Sequence, residues 1–180
     1  MNFEEKTKRE NLIFDGKVLH VYCDDVICPN GKDATREYAK HLGAVCVVPL
    51  TADNEVICVK QFRYAHHRMF LEIPAGKLNY ASEDRREAAL RELREETGAL
   101  CETLTHIGDI VPSPAILTER ISMYLAEGLT FGETEFDEDE FIEIVKIPLS
   151  ELVEMIMRGE IEDAKPQTAF LKVWHLKNNK

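Results

Sequence analysis

Apolar residues in this chain fall into short runs separated by polar turns, the pattern of strands. Leu12-Ile13-Phe14 and residues 18–21 flank Asp15-Gly16 and predict a hairpin with an Asp-Gly turn. Val26-Ile27-Cys28 runs into Pro29-Asn30-Gly31, a second turn signal, and residues 35–41 predict a third short segment. Together they make a small antiparallel unit over residues 1–41, whose apolar face has to pack on something. Residues 1–10 are charged and are expected to be loose or to contact a partner. From residue 42 to 180 the pattern changes. Residues 44–50 predict a buried strand, 51–55 a polar turn, 56–62 and 69–73 two more strands, the last ending at Pro74-Ala75-Gly76. Strands follow at 104–111, stopped by Pro112-Ser113-Pro114, at 121–125, and at 141–147 after an acidic loop over 130–139. Residues 149–158 predict a helix stopped by Gly159, and 165–178 a last helix with Phe170, Leu171, Trp174 and Leu176 as its apolar positions. Strands and helices mix without regular alternation, which predicts an α+β chain rather than a doubly wound one.

One stretch, residues 76–100, is helical by period in its second half. Ser82 is placed to cap the helix, Glu83 and Asp84 suit the positive end of its dipole, and Gly98 suits its exit. Ala89, Leu90 and Leu93 share one arc; Glu92, Glu95 and Glu96 share another. Carboxylates three and four residues apart repel by a few tenths of a kcal/mol per pair, about 0.2–0.5. A divalent cation would turn that cost into a gain, and clustered carboxylate oxygens suit Mg2+ or Mn2+ better than Zn2+. The competing reading is a solvated acidic face, with Arg91 and Arg94 relieving the repulsion.

Charge and composition narrow the field. A net charge of −11 would repel a phosphate backbone, so nucleic acid is excluded as a partner. A small anionic substrate stays open if metal ions and a few arginines neutralise it locally. No apolar stretch reaches a membrane span and no signal peptide is visible, so no membrane role is expected. The five scattered cysteines form no zinc spacing and suit a reducing cytoplasm.

Gly76, Glu83 and the run Arg91-Glu92-Leu93-Arg94-Glu95-Glu96-Thr97-Gly98-Ala99 closely resemble the box of the Nudix hydrolases. Seven residues separate Glu83 from Arg91, as in that family, but six rather than five separate Gly76 from Glu83. The stretches Gln61-Phe62-Arg63, Leu71-Glu72-Ile73-Pro74-Ala75-Gly76-Lys77 and Asp163-Ala164-Lys165 look like the ADP-ribose pyrophosphatase branch. Pro114 stands where that branch carries a proline, although Ala115 replaces its usual glycine. The resemblance implies an alpha/beta/alpha sandwich, a mixed sheet held between helices. It implies metal ligands at Glu92 and Glu96, the carbonyl of Ala75, and Glu95 directly or through water. It implies that Arg91 orients the carboxylates, that Glu140 (Glu138 as second choice) activates water, and that Arg63, Glu119, Pro114 and Gly76 meet the substrate. The expected activity is Mg2+-dependent hydrolysis of ADP-ribose to AMP and ribose 5-phosphate, in a homodimer joined through the amino-terminal hairpins. The alternatives are another nucleoside diphosphate derivative as substrate, or a sensor that binds ADP-ribose without cleaving it.

Overall fold

Strand β5 (Ala44–Pro49) has both faces buried, and the larger part of the chain is layered about it. The protein is described here by a computed structural model covering residues 2–132 and 141–179. It divides into two units, one of Met1–Gly43 with Val111–Arg120, the other of Ala44–Ile110 with Ile121–Lys180.

The smaller unit is an antiparallel sheet of β1 (Lys6–Arg9), β2 (Leu12–Asp15), β3 (His20–Ile27) and β4 (Asp33–Lys40). β1 and β2 share one edge of β3, and β4 takes the other. Gly16 closes the first turn onto Leu19 and Gly31 the second onto Cys28. The amino-terminal residues are not loose as expected: Lys6–Arg9 pairs with β3, and ion pairs Lys8–Asp33 (2.8 Å) and Arg9–Asp25 (3.1 Å) hold its charges. Val111–Arg120 joins this unit through Ala39 N–H to the Ile116 carbonyl (2.8 Å) and Thr118 N–H to the Ala39 carbonyl (3.1 Å).

In the larger unit, β5 lies between β8 (Ala75–Lys77) and β10 (Ile121–Phe131), with β9 (Ala99–Ile110) outside β10. The β5–β10 pair is parallel and the others antiparallel, so the sheet is mixed. A second sheet orders β11 (Ile142–Pro148), β6 (Glu55–Arg63) and β7 (Arg68–Glu72). Val45 and Val47 face helix α1 (Arg85–Thr97) through Ala88, Ala89 and Leu93. Ala44, Cys46 and Val48 face the other way, onto Val56, Cys58 and helices α2 (Leu149–Met157) and α3 (Ala164–Asn178), which contribute Leu152, Phe170 and Val173. A mixed sheet with helices on both sides is the expected α+β sandwich. Burial pushes the thiols of Cys46 and Cys58 up to about 12, and all five cysteines are free.

Several boundaries differ from the sequence pattern. The α1 cap is Asp84, not Ser82: its Oδ1 accepts from the N–H groups of Arg86 (2.9 Å) and Glu87 (3.0 Å). A turn closed by Glu83 N–H on the Tyr80 carbonyl occupies the residues where Ser82 would have started the helix. Gly98 does end it, at φ 65°, donating to the Arg94 carbonyl. β9 and β10 outrun their apolar stretches because each supplies the other's ladder, down to Phe131 opposite Ala99. On α3 the buried positions are Pro166, Ala169, Phe170 and Val173, while Leu171 and Leu176 lie on its exposed side.

Leu93 is fully buried between α1 and the sheet. Leu93→Ala is expected to cost about 2–5 kcal/mol and Asp84→Ala about 1 kcal/mol, read by urea denaturation. A loss well under 1 kcal/mol for Leu93→Ala would show that α1 is not seated as described.

Candidate functional site

The site grows from β8 and the helix that follows it. Pro74 accepts from Val47 N–H (2.9 Å), and Ala75 and Gly76 then pair with Cys46 and Val45. α1 lies over this short strand and turns Glu92 and Glu96 toward it; they are only 8% and 5% exposed. A Cβ on Gly76 would stand 2.0 Å from Glu92 Oε1, so the carboxylate fits only because residue 76 has no side chain. Glu96 Oε1 accepts from Ala75 N–H at 3.4 Å. Arg91 gathers the neighbouring acids: Nη1 donates to Glu92 Oε1 (2.7 Å) and Glu95 Oε2 (3.0 Å), Nη2 to Glu83 Oε1 (3.3 Å). Burial works against its charge, but Glu92 and Glu95 outweigh it and hold its pKa above the ordinary guanidinium value.

Among the described residues no three His, Cys, Asp or Glu side chains converge on one point as a closed metal cage. The donor set still fits a hard divalent cation. Two buried carboxylates meet the strand that carries the Ala75 carbonyl, Glu92 in the space that a Cβ on Gly76 would fill and Glu96 at the Ala75 N–H. Such a set is all oxygen and small in number, which suits Mg2+, an ion that keeps several waters. The reading of an acidic face merely wetted by solvent does not fit Glu92 and Glu96, which have left the water.

A second charged cluster lies in the same unit. Glu72, 2% exposed, receives Arg63 in a two-pronged pair, Nε to Oε1 at 2.6 Å and Nη2 to Oε2 at 2.7 Å. Lys165 Nζ reaches Oε2 as well, at 2.9 Å, and also bonds Asp163. Burial alone would raise the Glu72 pKa, but Arg63 and Lys165 overcome it and hold it below the ordinary carboxylate value. These residues, with His66 and Phe70, line a cleft of about 430 Å³. Arg63, expected as a phosphate ligand, is thus also an ion-pair partner.

The remaining expected residues fall elsewhere. Glu119, 3.5 Å from His41 Nδ1, and Pro114, in an exposed turn, belong to the smaller unit. Glu140 and Glu138 lie outside the described residues.

A profile of the NUDIX domain matches residues 40–169. The chain belongs to the Nudix family. It is 43% identical over 166 residues to the ADP-ribose pyrophosphatase of Bacillus subtilis (strain 168), covering 91% of this chain and 89% of that protein. It is 41% identical over 165 residues to the methanol dehydrogenase activator of Bacillus methanolicus, with 91% and 89% covered. A solved crystal structure of an ADP compounds hydrolase matches this Nudix chain with a TM-score of 0.85 over 98% of this chain and 97% of that one; at 21% identity it shows the fold.

In this Nudix chain the one-residue insertion before Glu83 is absorbed by the loop. Glu83 still reaches Arg91, and its Oε2 accepts from Asn79 N–H at 2.5 Å. Glu72 and Lys165 did not stand out among the expected site residues. The available signal was a glutamate inside the apolar run Leu71-Glu72-Ile73, which needs a buried countercharge.

The Glu72 pair sets a pH dependence. Glu72→Gln is expected to cost about 1–3 kcal/mol at neutral pH, since Arg63 is two-fifths exposed and Lys165 keeps Asp163. Because the folded pKa is depressed, wild type holds its full advantage above the ordinary value of 4.5 and loses it as the pH falls through the lower folded value. Urea denaturation of both proteins across this range checks it; an advantage that did not shrink in acid would remove the Glu72 charge as its source.

Proposed function

We propose that this Nudix chain hydrolyses the pyrophosphate bond of ADP-ribose, or of a closely related nucleoside diphosphate sugar, giving AMP and ribose 5-phosphate. The observation that carries the reading is the burial of Glu92 and Glu96 against β8, Glu92 over Gly76 and Glu96 at the Ala75 N–H. The 43% identity to an ADP-ribose pyrophosphatase supports the choice of substrate.

Glu92 and Glu96, with the Ala75 carbonyl, would hold Mg2+ (Mn2+ is the second choice), and Glu95 would assist. When bound, the cation neutralises pyrophosphate charge and acidifies water. Arg91 keeps Glu92 and Glu95 in place through its bonds to both. Arg63, two-fifths exposed, turns the rest of its guanidinium to a substrate phosphate, whose geometry it matches. Glu140 takes the proton of the attacking water as the new P–O bond forms. The bridging P–O bond breaks and its electron pair leaves with the departing phosphate. A positioned general base of this kind contributes about 100- to 10,000-fold. Glu119 and Pro114 enter the proposal on the family resemblance alone, as substrate contacts. Residues 1–41 are proposed to join two copies into a homodimer, working in the cytoplasm. Among the described residues no helix is long and apolar enough to cross a membrane.

Glu96→Gln is expected to lower turnover on the order of 100-fold or more in saturating Mg2+, with circular dichroism unchanged. Near-normal turnover would defeat the assignment. Chromatography of products from ADP-ribose, another sugar nucleotide and a nucleoside triphosphate fixes the substrate class. Tight binding of ADP-ribose without cleavage would replace the hydrolase by a sensor.

A further inference from the structure

Lys165 is far from Arg63 in sequence yet meets the same carboxylate. The two oxygens of Glu72 are divided: Oε1 serves Arg63 Nε, while Oε2 is shared between Arg63 Nη2 and Lys165 Nζ. Lys165 itself is fixed from two sides. Asp163 caps α3 by accepting from Lys165 N–H at 2.9 Å, and its other oxygen takes the Lys165 ammonium. The two-pronged grip on Arg63 uses Nε and Nη2, and Nη1 takes no partner among the described residues. Charge follows the same plan. Arg63 and Lys165 balance Glu72 and Asp163, so the four groups sum to zero. Without Lys165 they would sum to −1, and Arg63 would stand beside a full uncompensated negative charge in a poorly screened setting.

We propose that Lys165 is a positioning residue for the substrate phosphate. By sharing the Glu72 carboxylate it holds the Arg63 guanidinium in place, with Nη1 outside the two-pronged pair, and offsets negative charge that would otherwise repel an incoming anion. The inference rests on the Arg63 phosphate contact proposed above. A compact ammonium suits the place, because it serves two carboxylates at once while the planar fork of Arg63 holds one of them.

The test is steady-state kinetics on the full chain with ADP-ribose and Mg2+, for wild type, R63M, K165M, K165R and the double variant R63M/K165M, each checked for folding by circular dichroism. R63M is expected to raise KM about tenfold or more, and K165M about tenfold with kcat within about threefold of wild type. K165R, which restores the charge but not the compact ammonium, is expected to give a KM between those of K165M and wild type. In the R63M background K165M is expected to add nothing, because it acts through Arg63. If K165M does not fold, K165Q, which keeps a donor without charge, is expected to show the same rise in KM. A folded K165M or K165Q with wild-type KM, or a K165M effect that multiplies in full on R63M, overturns the role of Lys165. If R63M has raised KM while K165M does not, the phosphate contact stands and only the Lys165 role falls. If R63M itself leaves KM unchanged, the phosphate contact fails and the Lys165 role with it.

Discussion

A carboxylate taken out of water costs several kcal/mol unless charge or hydrogen bonds meet it where it is buried. Three glutamates of the larger unit, Glu72, Glu92 and Glu96, are buried under that constraint. Their surroundings are arranged to satisfy it. Gly76 surrenders its side chain so that Glu92 can lie on the backbone, Arg91 stitches the acidic side of α1 together, and Glu72 is met by Arg63 from the adjacent strand and by Lys165 from a helix remote in sequence. The two clusters differ in kind. Glu72 is met by two cations of the protein itself, and a structural ion pair results. Arg91 meets Glu92 and the Ala75 N–H meets Glu96, and these two carboxylates beside β8 offer the all-oxygen donors that suit a hard cation.

The sheets place both clusters with little freedom. β7 ends at Glu72, and Ile73-Pro74 carries the chain directly into β8, so the ion pair and the carboxylate cradle are separated by one short connection. β8 is fixed by its ladder to β5, and β5 is clamped by apolar contacts on both faces. α1 is pinned at one end by Asp84, at the other by Gly98, and through Leu93 between them. The acidic side chains therefore sit on rigid elements, as a site of fixed geometry requires.

Most of this frame was legible in the residues. Apolar runs marked β5, β6, β7 and the two carboxy-terminal helices, because buried strands and helix stripes need them. The order of glycine, arginine and glutamates marked the helix and led to the family. What escaped depended on partners remote in sequence. Lys6–Arg9 carries no apolar signal and becomes a strand only because β3 offers an edge and acids face its cations. The joining of Val111–Arg120 to the amino-terminal sheet rests on backbone bonds that no side chain announces. Ser82 and Asp84 are both good caps, and a turn at Tyr80 decided between them. Glu72 was readable as a buried acid, but Lys165 was not readable as its partner, since nothing local links the two.

The parallel pairing of β5 with β10 bears on how the chain reaches this state. β5 is made early, but its neighbour on one side is β10, with β6, β7, β8, α1 and β9 all lying between them in the chain. Such pairings close long loops and are slow to form. The helix that carries the glutamates can begin to coil on its own, yet the strand it must cover is not fully supported until β10 has docked. During synthesis on the ribosome β5, β8 and the acidic helix therefore all emerge before β10, and the sheet beneath the glutamates is completed only by the later half of the chain.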